Sequence, residues 1–263
     1  MADNNLVILA HGGAGSKNEF SDGADRACLA GLSARRSGAP VLESVCRAVT
    51  VLEDDSRFNA GIGSARRADG STQMDAACMD SANRFGSVAV VEGFKNPVHI
   101  ALAISKIENR VLAGPGAARF AREKGLEALD PSCLSRKRRG GTDSVSDTVG
   151  AVMFDGEAFA AALSTGGTGG AIPGRVGDVP LIGCGLYAGT LGAVAATGNG
   201  EAIAMNLTAF RAYQLLEKGM MSQAVLEEVV SWFDGSQDIG LLVVTRKDYA
   251  AGSNRSMAWS VRF

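Results

Sequence analysis

Apolar residues along this chain occur in two kinds of segment: short consecutive runs, and longer stretches in which they recur at helical spacing. Short runs bounded by glycine and polar turns predict buried strands at residues 6–10, 72–79, 87–91, 148–154, 158–164, 191–197, 239–245 and 257–261. Apolar residues at helical spacing predict helices at residues 24–36, 40–52, 97–107, 116–124, 201–218 and 222–233. The dipeptide Asp155-Gly156, between two predicted strands, is typical of a hairpin turn.

The order of these elements favours an α+β fold. In the second half of the chain the predicted strands follow one another as hairpins, with helices before and after them. We expect a single domain over residues 1–263, with one internal boundary at residues 130–146 (DPSCLSRKRRGGTDSVS), which show no apolar period. The basic run at 136–139 predicts a solvated linker, and a nuclear-targeting signal or an anionic partner is the alternative interpretation.

Composition narrows the range of partners. A formal net charge of −2, with 46% hydrophobic and 21% charged residues, is typical of a globular protein and gives no overall attraction to nucleic acid or membrane surfaces. No apolar run is long enough to span a membrane, and the first residues lack the features of a signal peptide. Five cysteines without C-x-x-C spacing indicate reduced thiols. We therefore expect a cytoplasmic protein that binds neither nucleic acid nor membranes.

Several common catalytic devices are missing from the sequence. The two histidines, His11 and His99, are too few for a histidine-rich metal site, and His99 lies within an apolar helical segment, as expected of a packing residue. There is no G-x-S-x-G nucleophile motif and no Walker motif. The glycine cluster at 166–170 could cradle a phosphate, but no lysine accompanies it.

The most distinctive position is Thr148, where a polar loop becomes an apolar strand. One interpretation is an ordinary strand start. The other is that cleavage of the Asp147–Thr148 bond frees an α-amine beside the Thr148 hydroxyl. An α-amine has a pKa of ~7.7–8.0, so it is partly neutral at neutral pH and can activate that hydroxyl as a nucleophile.

Polar residues that suit an amino-acid ligand follow within fifty residues. Arg175 and Asp178 lie in a Gly/Pro-rich loop, where they could form a structural ion pair or bind the carboxylate and ammonium of a zwitterion. Residues 164–165 supply two hydroxyls at a strand end. Residues 197–201 (TGNGE) end another strand just before a helix, where backbone N–H groups favour negative charge.

Together these segments resemble the N-terminal-nucleophile asparaginases. This family comprises the plant-type L-asparaginases, also called isoaspartyl peptidases, with aspartylglucosaminidase and taspase as relatives. Four matching segments occur in the family's order and spacing, at 147–152 (DTVGAV), 164–167 (STGG), 174–178 (GRVGD) and 197–201 (TGNGE). The segments at 11–15 (HGGAG) and 58–63 (FNAGIG) also look like the family's. The resemblance covers nearly the whole chain.

The resemblance implies a role for each matching site residue. Thr148 would be the nucleophile, and the chain would cut itself between Asp147 and Thr148 into an α subunit (1–147) and a β subunit (148–263). Thr165 would hold and tune Thr148, while Thr197 and the N–H of Gly198 would form the oxyanion hole. The substrate α-carboxylate would bind Arg175 and the α-ammonium Asp178, helped by the backbone of Gly198 and Gly200.

The resemblance also implies a fold, an assembly and a substrate class. The fold would be a four-layer αββα sandwich of the N-terminal-nucleophile hydrolase type, and the processed α/β pairs would form a homodimer. No cofactor would be required for the chemistry, although the loop containing Asn59 resembles one that binds a structural sodium ion. The substrate would be a small molecule or short peptide, namely L-asparagine or a β-aspartyl peptide.

Two departures from the family pattern keep alternatives open. Asp147 stands where most plant-type members have glycine, and in this it resembles the aspartylglucosaminidases and taspases. Val179 replaces the small hydroxyl residue that usually follows the Gly-Asp of the family's motif. An N4-glycosylasparagine amidohydrolase is therefore one alternative. A catalytically silent, unprocessed binding protein is the other.

Overall fold

The computed structural model describes residues 6–134 and 148–263. Asp147, and with it the predicted cleavage bond and the basic run at 136–139, lies outside the described residues. The strands are β1 (Leu6–Ala14), β2 (Met74–Asp80), β3 (Phe85–Val91), β4 (Val111–Ala113), β5 (Val149–Asp155), β6 (Phe159–Thr165), β7 (Leu186–Gly189), β8 (Gly192–Gly198), β9 (Ile239–Thr245), β10 (Tyr249–Ser253) and β11 (Met257–Arg262). The α-helices are α1 (Ser21–Arg36), α2 (Val41–Glu53), α3 (Pro97–Ile104), α4 (Gly114–Glu123), α5 (Gly200–Met205), α6 (Thr208–Glu217) and α7 (Ser222–Ser231).

The strands form two sheets. The larger has the order β11-β1-β5-β6-β2-β3-β4, and the smaller has the order β10-β9-β8-β7. Neighbouring strands pair antiparallel, apart from the parallel pair β3–β4. Two antiparallel-rich sheets with helices confirm the predicted α+β class.

Three apolar cores separate the layers of this fold. One lies between the larger sheet and α1–α4, and includes Ile8, Val49 and Met153. A second, including Leu163 and Leu242, lies between the two sheets. The third packs the smaller sheet against α6 and α7. Alternate residues of a central strand therefore face either helices or the other sheet, so both faces are apolar.

The predicted elements are found, with four differences. Strands β4, β7 and β10 were not predicted, because each is short and β7 and β10 contain glycine. The helix predicted at 201–218 is two helices, because Leu207 adopts a left-handed conformation with φ of 49° between α5 and α6. The Asp155-Gly156 hairpin is confirmed, with Gly156 at φ of 96°. No helix within residues 6–134 or 148–263 has both the length and the apolar character needed to cross a bilayer.

Candidate active site

Strand alternation directs a set of polar residues into the space between the two sheets. Along each strand, every second residue belongs to the core between the sheets, and at one end of the strands polar residues take over this position. All of them are buried: His11 on β1, Asp75 on β2, Thr148 just before β5, Thr165 on β6 and Thr197 on β8. The interior between the sheets thus changes from apolar to polar at this edge.

The register of the larger sheet brings these residues together. Val149 pairs with Ser164, so Thr148 and Thr165 are the next residues outward on adjacent strands. Asp75 pairs with Thr165 on the other side. His11 pairs with Gly150. Four neighbouring strands therefore present their polar ends side by side.

Thr197 connects Thr148 to the smaller sheet. Its hydroxyl donates to the carbonyl oxygen of Thr148 at 3.3 Å and accepts from the N–H of Ala14 at 3.2 Å. The partners lie on different elements, so this fully buried hydroxyl links the start of β5, the end of β1 and the end of β8. The predicted nucleophile and the predicted oxyanion residue are thus in direct contact.

Thr165 is held by the glycine turn that follows β6. Its hydroxyl oxygen accepts from the N–H of Gly167 at 3.0 Å. Gly167 has φ of 72°, which glycine adopts without strain, and guanidinium nitrogens of Arg67 leave no space for a Cβ there. This turn fixes the hydroxyl of Thr165, the residue that lies opposite Thr148 in the register of the sheet.

Gly198 and Gly200 are required by close packing at the end of β8. Gly198 has φ of 141°, and a Cβ on it would overlap the carbonyl oxygen of Asp238. A Cβ on Gly200 would lie 2.7 Å from Arg175 Nη2 and 2.9 Å from Asp178 Oδ1. Residues 198–200 therefore connect the threonines to the Arg175/Asp178 loop within three residues of chain.

Arg175 forms its ion pair with Glu201, and not with Asp178. Its Nε and Nη2 donate to the two Glu201 carboxylate oxygens at 2.8 and 2.7 Å, a bidentate arrangement. The Arg175 side chain is 13% exposed, whereas that of Glu201 is 66% exposed. The pair therefore lies at the mouth of the site, with the guanidinium inside and the carboxylate outside. The sequence pattern alone predicts no role for Glu201.

Asp178 is buried with an incomplete set of hydrogen bonds. Its side chain lies against Gly185 and Gly200, and Oδ2 has no hydrogen-bond partner among the described residues. Burial raises the pKa of Asp178 to about 7, and the positive charge of Arg175 opposes this effect in part. An acceptor with no internal partner is suited to a ligand that donates, such as an ammonium group.

Two further charged residues at the site were missed by sequence reasoning. Asp75 is fully buried; its Oδ1 accepts from the N–H of Val90 at 2.7 Å, and burial raises its pKa. Arg67 is also fully buried, and burial lowers its pKa although Asp75 opposes this. A charged residue inside an apolar strand pattern, as at Asp75, was the available signal.

The histidines differ in their positions. His11 is fully buried beside Thr148 and Gly150, and burial lowers its pKa to about 3, so it is neutral at pH 7. That position was not foreseen. His99 on α3 forms a hydrogen bond of 2.9 Å with Thr50 on α2, as a packing residue would. Its pKa is lowered, chiefly by burial.

Asn59 ties the loop after α2 to the site. Its amide nitrogen donates to the Gly167 carbonyl at 2.8 Å, and its amide oxygen accepts from the N–H of Ala65 at 2.8 Å. The N–H of Gly166 donates to the Asn59 carbonyl at 2.9 Å. The amide nitrogen and the amide oxygen of Asn59 therefore each have a partner, and the side chain supports the turn that holds Thr165. Within the described ranges no cluster of three or more His, Cys, Asp or Glu side chains could hold a metal ion.

Comparison with known proteins decides the family. The family model described as asparaginase matches residues 4–141 and 135–261. The chain belongs to the asparaginase family. This asparaginase-family protein is 34% identical over 274 residues to a plant-type L-asparaginase of Pyrococcus abyssi, covering 91% of this chain and 90% of the relative.

Other relatives in the asparaginase family cover the chain as completely. A plant-type L-asparaginase of Thermococcus kodakarensis is 35% identical over 277 residues, covering 92% of this chain and 90% of the relative. An isoaspartyl peptidase/L-asparaginase of Rattus norvegicus is 34% identical over 287 residues, covering 98% of this chain and 86% of the relative. The similarity thus extends across both segments that flank Asp147–Thr148.

Proposed function

We propose that this protein is a threonine-dependent amidohydrolase that cleaves the side-chain amide of L-asparagine and the β-aspartyl bond of isoaspartyl peptides. The convergence of Thr148, Thr165 and Thr197 between the two sheets carries the proposal. The names of the relatives, plant-type L-asparaginase and isoaspartyl peptidase/L-asparaginase, support the substrate class.

The chemistry would begin at a new N-terminus. After cleavage before Thr148, its α-amine takes the proton of the Thr148 hydroxyl, whose oxygen attacks the side-chain carbonyl carbon of the substrate. The C–N bond breaks, the proton passes to the leaving nitrogen, and ammonia or the free amino acid departs. Water then hydrolyses the aspartyl ester, releasing L-aspartate. Thr197 and the N–H of Gly198 would stabilise the oxyanion, and Thr165 would orient Thr148.

Substrate binding would use the two charges of the loop between β6 and β7. Arg175 would hold the α-carboxylate and Asp178, through its unpaired Oδ2, the α-ammonium. Because Glu201 already occupies two nitrogens of Arg175, the substrate must compete with this carboxylate or share the guanidinium with it. This competition favours a ligand whose ammonium is captured at the same time.

Self-cleavage is tested on a denaturing gel. Purified protein should separate into fragments 1–147 and 148–263 without added protease, and the N-terminal residue of the second fragment should be threonine. Thr148→Ala should remain one band, whereas Thr190→Ala, at an exposed threonine between β7 and β8, should cleave like the wild type. An intact wild-type chain with full activity would contradict the proposal, and an intact inactive chain would support the silent binding protein.

The substrate class is tested by turnover of three compounds. L-asparagine and a β-aspartyl dipeptide should be hydrolysed, and N4-glycosylated asparagine should be a poor substrate. Preferred hydrolysis of the glycosylated compound would instead support the glycosylasparagine amidohydrolase. Thr148→Ala should lower each rate by several orders of magnitude, because nucleophile and base act as one unit.

We infer that the layers form the four-layer αββα sandwich of N-terminal-nucleophile hydrolases. The three successive cores support this assignment. We also propose that processed α/β pairs form a homodimer, since exposed apolar side chains lie on the β6–β7 loop, which carries Arg175 and Asp178, and around α5–α6: Ile172, Ile182, Met205, Leu207 and Phe210. Size-exclusion chromatography with light scattering would test this. The cytoplasmic location stays a prediction.

A structural sodium ion at the loop containing Asn59 also stays a proposal. Gly61 and Gly63 pack closely against the carbonyl oxygens of Glu53 and Phe58, because a Cβ on either glycine would overlap one of those oxygens. Carbonyl oxygens are the donors that hard cations prefer. If the site exists, exchange of sodium for choline should lower the melting temperature without any change in the gel pattern.

A further inference from the structure

Arg67 is an arginine buried within the molecule. It lies in the loop before β2, and its side chain is fully buried. Nη2 donates to the Gln73 carbonyl at 3.2 Å, whereas Nε and Nη1 have no hydrogen-bond partner in the part of the chain that the structure describes. Buried donors without partners are rare in folded proteins, because each has lost its hydrogen bonds to water and no protein acceptor has replaced them.

The guanidinium of Arg67 lies at the candidate active site. Its Nη1 and Nη2 are 2.7 and 3.0 Å from where a Cβ on Gly167 would stand, and the N–H of Gly167 donates to the Thr165 hydroxyl. Backbone hydrogen bonds from Ala68 to Ala171 and from Gly170 to the carbonyl of Arg66 fasten the Arg67 loop to the turn after β6. The position of Arg67 relative to Thr165 is therefore built into the fold.

Asp75 does not satisfy the guanidinium. Its charge and that of Arg67 attract, yet among the described residues the two form neither a hydrogen bond nor an ion pair within 4 Å. Asp75 Oδ2 is itself without a hydrogen-bond partner there. Arg67 and Asp75 thus form a second Arg/Asp set at the site, and each keeps polar atoms without a partner among the described residues.

A second pair of this kind fits a substrate with a second carboxylate. The α-end of an aspartyl unit supplies one carboxylate and one ammonium, which suit Arg175 and Asp178. L-asparagine has no further charge, whereas a β-aspartyl dipeptide carries a second carboxylate and an amide N–H on its leaving side. Guanidinium groups bind carboxylates with parallel hydrogen bonds, and a desolvated guanidinium discriminates strongly against an uncharged group.

We propose that Arg67 binds the carboxylate of the leaving amino acid of β-aspartyl dipeptides and so makes them better substrates than L-asparagine. This inference rests on the proposed amidohydrolase function. Arg67 would then be a specificity-determining residue. Asp75 would accept a hydrogen bond from the amide N–H on the leaving side of the same dipeptide.

The first test needs no variant. A β-aspartyl-leucine dipeptide and the same dipeptide with an amidated C-terminus differ by the leaving-side carboxylate alone. The wild type should hydrolyse the acid with a kcat/KM at least tenfold above that of the amide. Equal values for the two compounds would overturn the proposal even if both are cleaved, and failure to cleave either compound or L-asparagine would instead overturn the proposed function.

Variants then locate the effect. Arg67→Met should bring the acid-to-amide ratio close to one, whatever the absolute rates, while self-cleavage continues. Arg67→Lys, which keeps the charge and protects the fold, should give an intermediate ratio. Arg66→Met, at the neighbouring half-buried position, is the matched control and should keep the wild-type ratio. A uniform loss on all three substrates in Arg67→Lys, with the ratio unchanged, would assign Arg67 a structural role and refute the proposal.

Discussion

Replacing Asp178 with asparagine removes one of two ionisations that we expect to control substrate capture. Asparagine keeps the shape of the side chain between Gly185 and Gly200 but cannot pair with an ammonium group. Loss of a charge-assisted contact in a desolvated site costs about 2–5 kcal/mol, counting the partner left unpaired. The kcat/KM for L-asparagine at pH 8 should therefore fall by about thirtyfold to several thousandfold.

The pH dependence separates Asp178 from the α-amine of Thr148. In the free enzyme burial raises the pKa of Asp178 to about 7, so its ionised fraction rises from about one tenth at pH 6 to about nine tenths at pH 8. The α-amine, with an ordinary pKa of ~7.7–8.0, must also lose its proton. Below pH 6 the logarithm of kcat/KM should then rise with a slope of two. The slope for kcat should be one, because bound ammonium keeps Asp178 ionised.

The same carboxyl group links stability to pH in the ligand-free protein. Its pKa is raised from 3.8 to about 7, so its contribution to stability is complete below pH 4 and is lost as the pH rises through 7. At 1.36 kcal/mol per pH unit this amounts to about 4 kcal/mol. Thermal unfolding of Asp178→Asn between pH 5 and 8 should therefore depend less on pH than that of the wild type. Asp234→Asn, at an exposed aspartate, is the control.

These slopes are measured by steady-state kinetics of the wild type and of Asp178→Asn from pH 5 to 9. Asp178→Asn should show a slope of one for both kcat and kcat/KM. If the wild type already shows the same single slope for both parameters, Asp178 is ionised throughout. The raised pKa of Asp178 would then be contradicted, and a kcat/KM of Asp178→Asn at pH 8 equal to that of the wild type would refute the assignment of Asp178 to the substrate ammonium.

Three further substitutions test other parts of the site. Glu201→Gln removes the charged partner of Arg175, so the KM for L-asparagine should fall several-fold; an unchanged or higher KM in initial-rate assays would contradict this. Gly198→Ala forces a Cβ onto the carbonyl of Asp238, so hydrolysis should become undetectable and the melting temperature should drop; native activity would refute the packing argument. Burial raises the pKa of Glu53 to about 8, so the stability of the protein should decline as the pH rises through 8. Glu53→Gln should flatten this decline, and an equal pH dependence of the melting temperature in the variant and the wild type would count against it.

The parts of the fold that follow from local chemistry could be predicted from the sequence. The runs that became β5, β6 and β9 are apolar at consecutive positions, because one face meets helices and the other meets the second sheet. The turn at Asp155-Gly156 has a mechanism that needs no tertiary information, since Asp155 Oδ1 accepts from the N–H groups of residues 157 and 158.

The pairing of charged groups at the site could not be predicted in the same way. Arg175 and Asp178 are three residues apart in sequence, yet the guanidinium turns to Glu201, which arrives from the start of α5. The burial of Arg67 depends on a turn a hundred residues later in the chain, which sequence spacing cannot reveal. The short strands β7 and β10 owe their existence to neighbouring strands more than to their own composition.

The unpaired polar atoms explain how such a site can be both stable and ready to bind. Arg67, Asp75 and Asp178 each keep polar atoms without partners in the described structure, and all three are buried between layers that the apolar cores hold together. The free protein bears the cost of this desolvation, because the surrounding sheets cannot relax without losing their packing. A substrate that supplies the missing donors and acceptors recovers that free energy on binding, whereas a ligand lacking one charge leaves a buried group unpaired. If the proposed assignments hold, we expect discrimination among aspartyl compounds to follow from unpaired groups that are already in place, and not from a surface that adapts to each ligand.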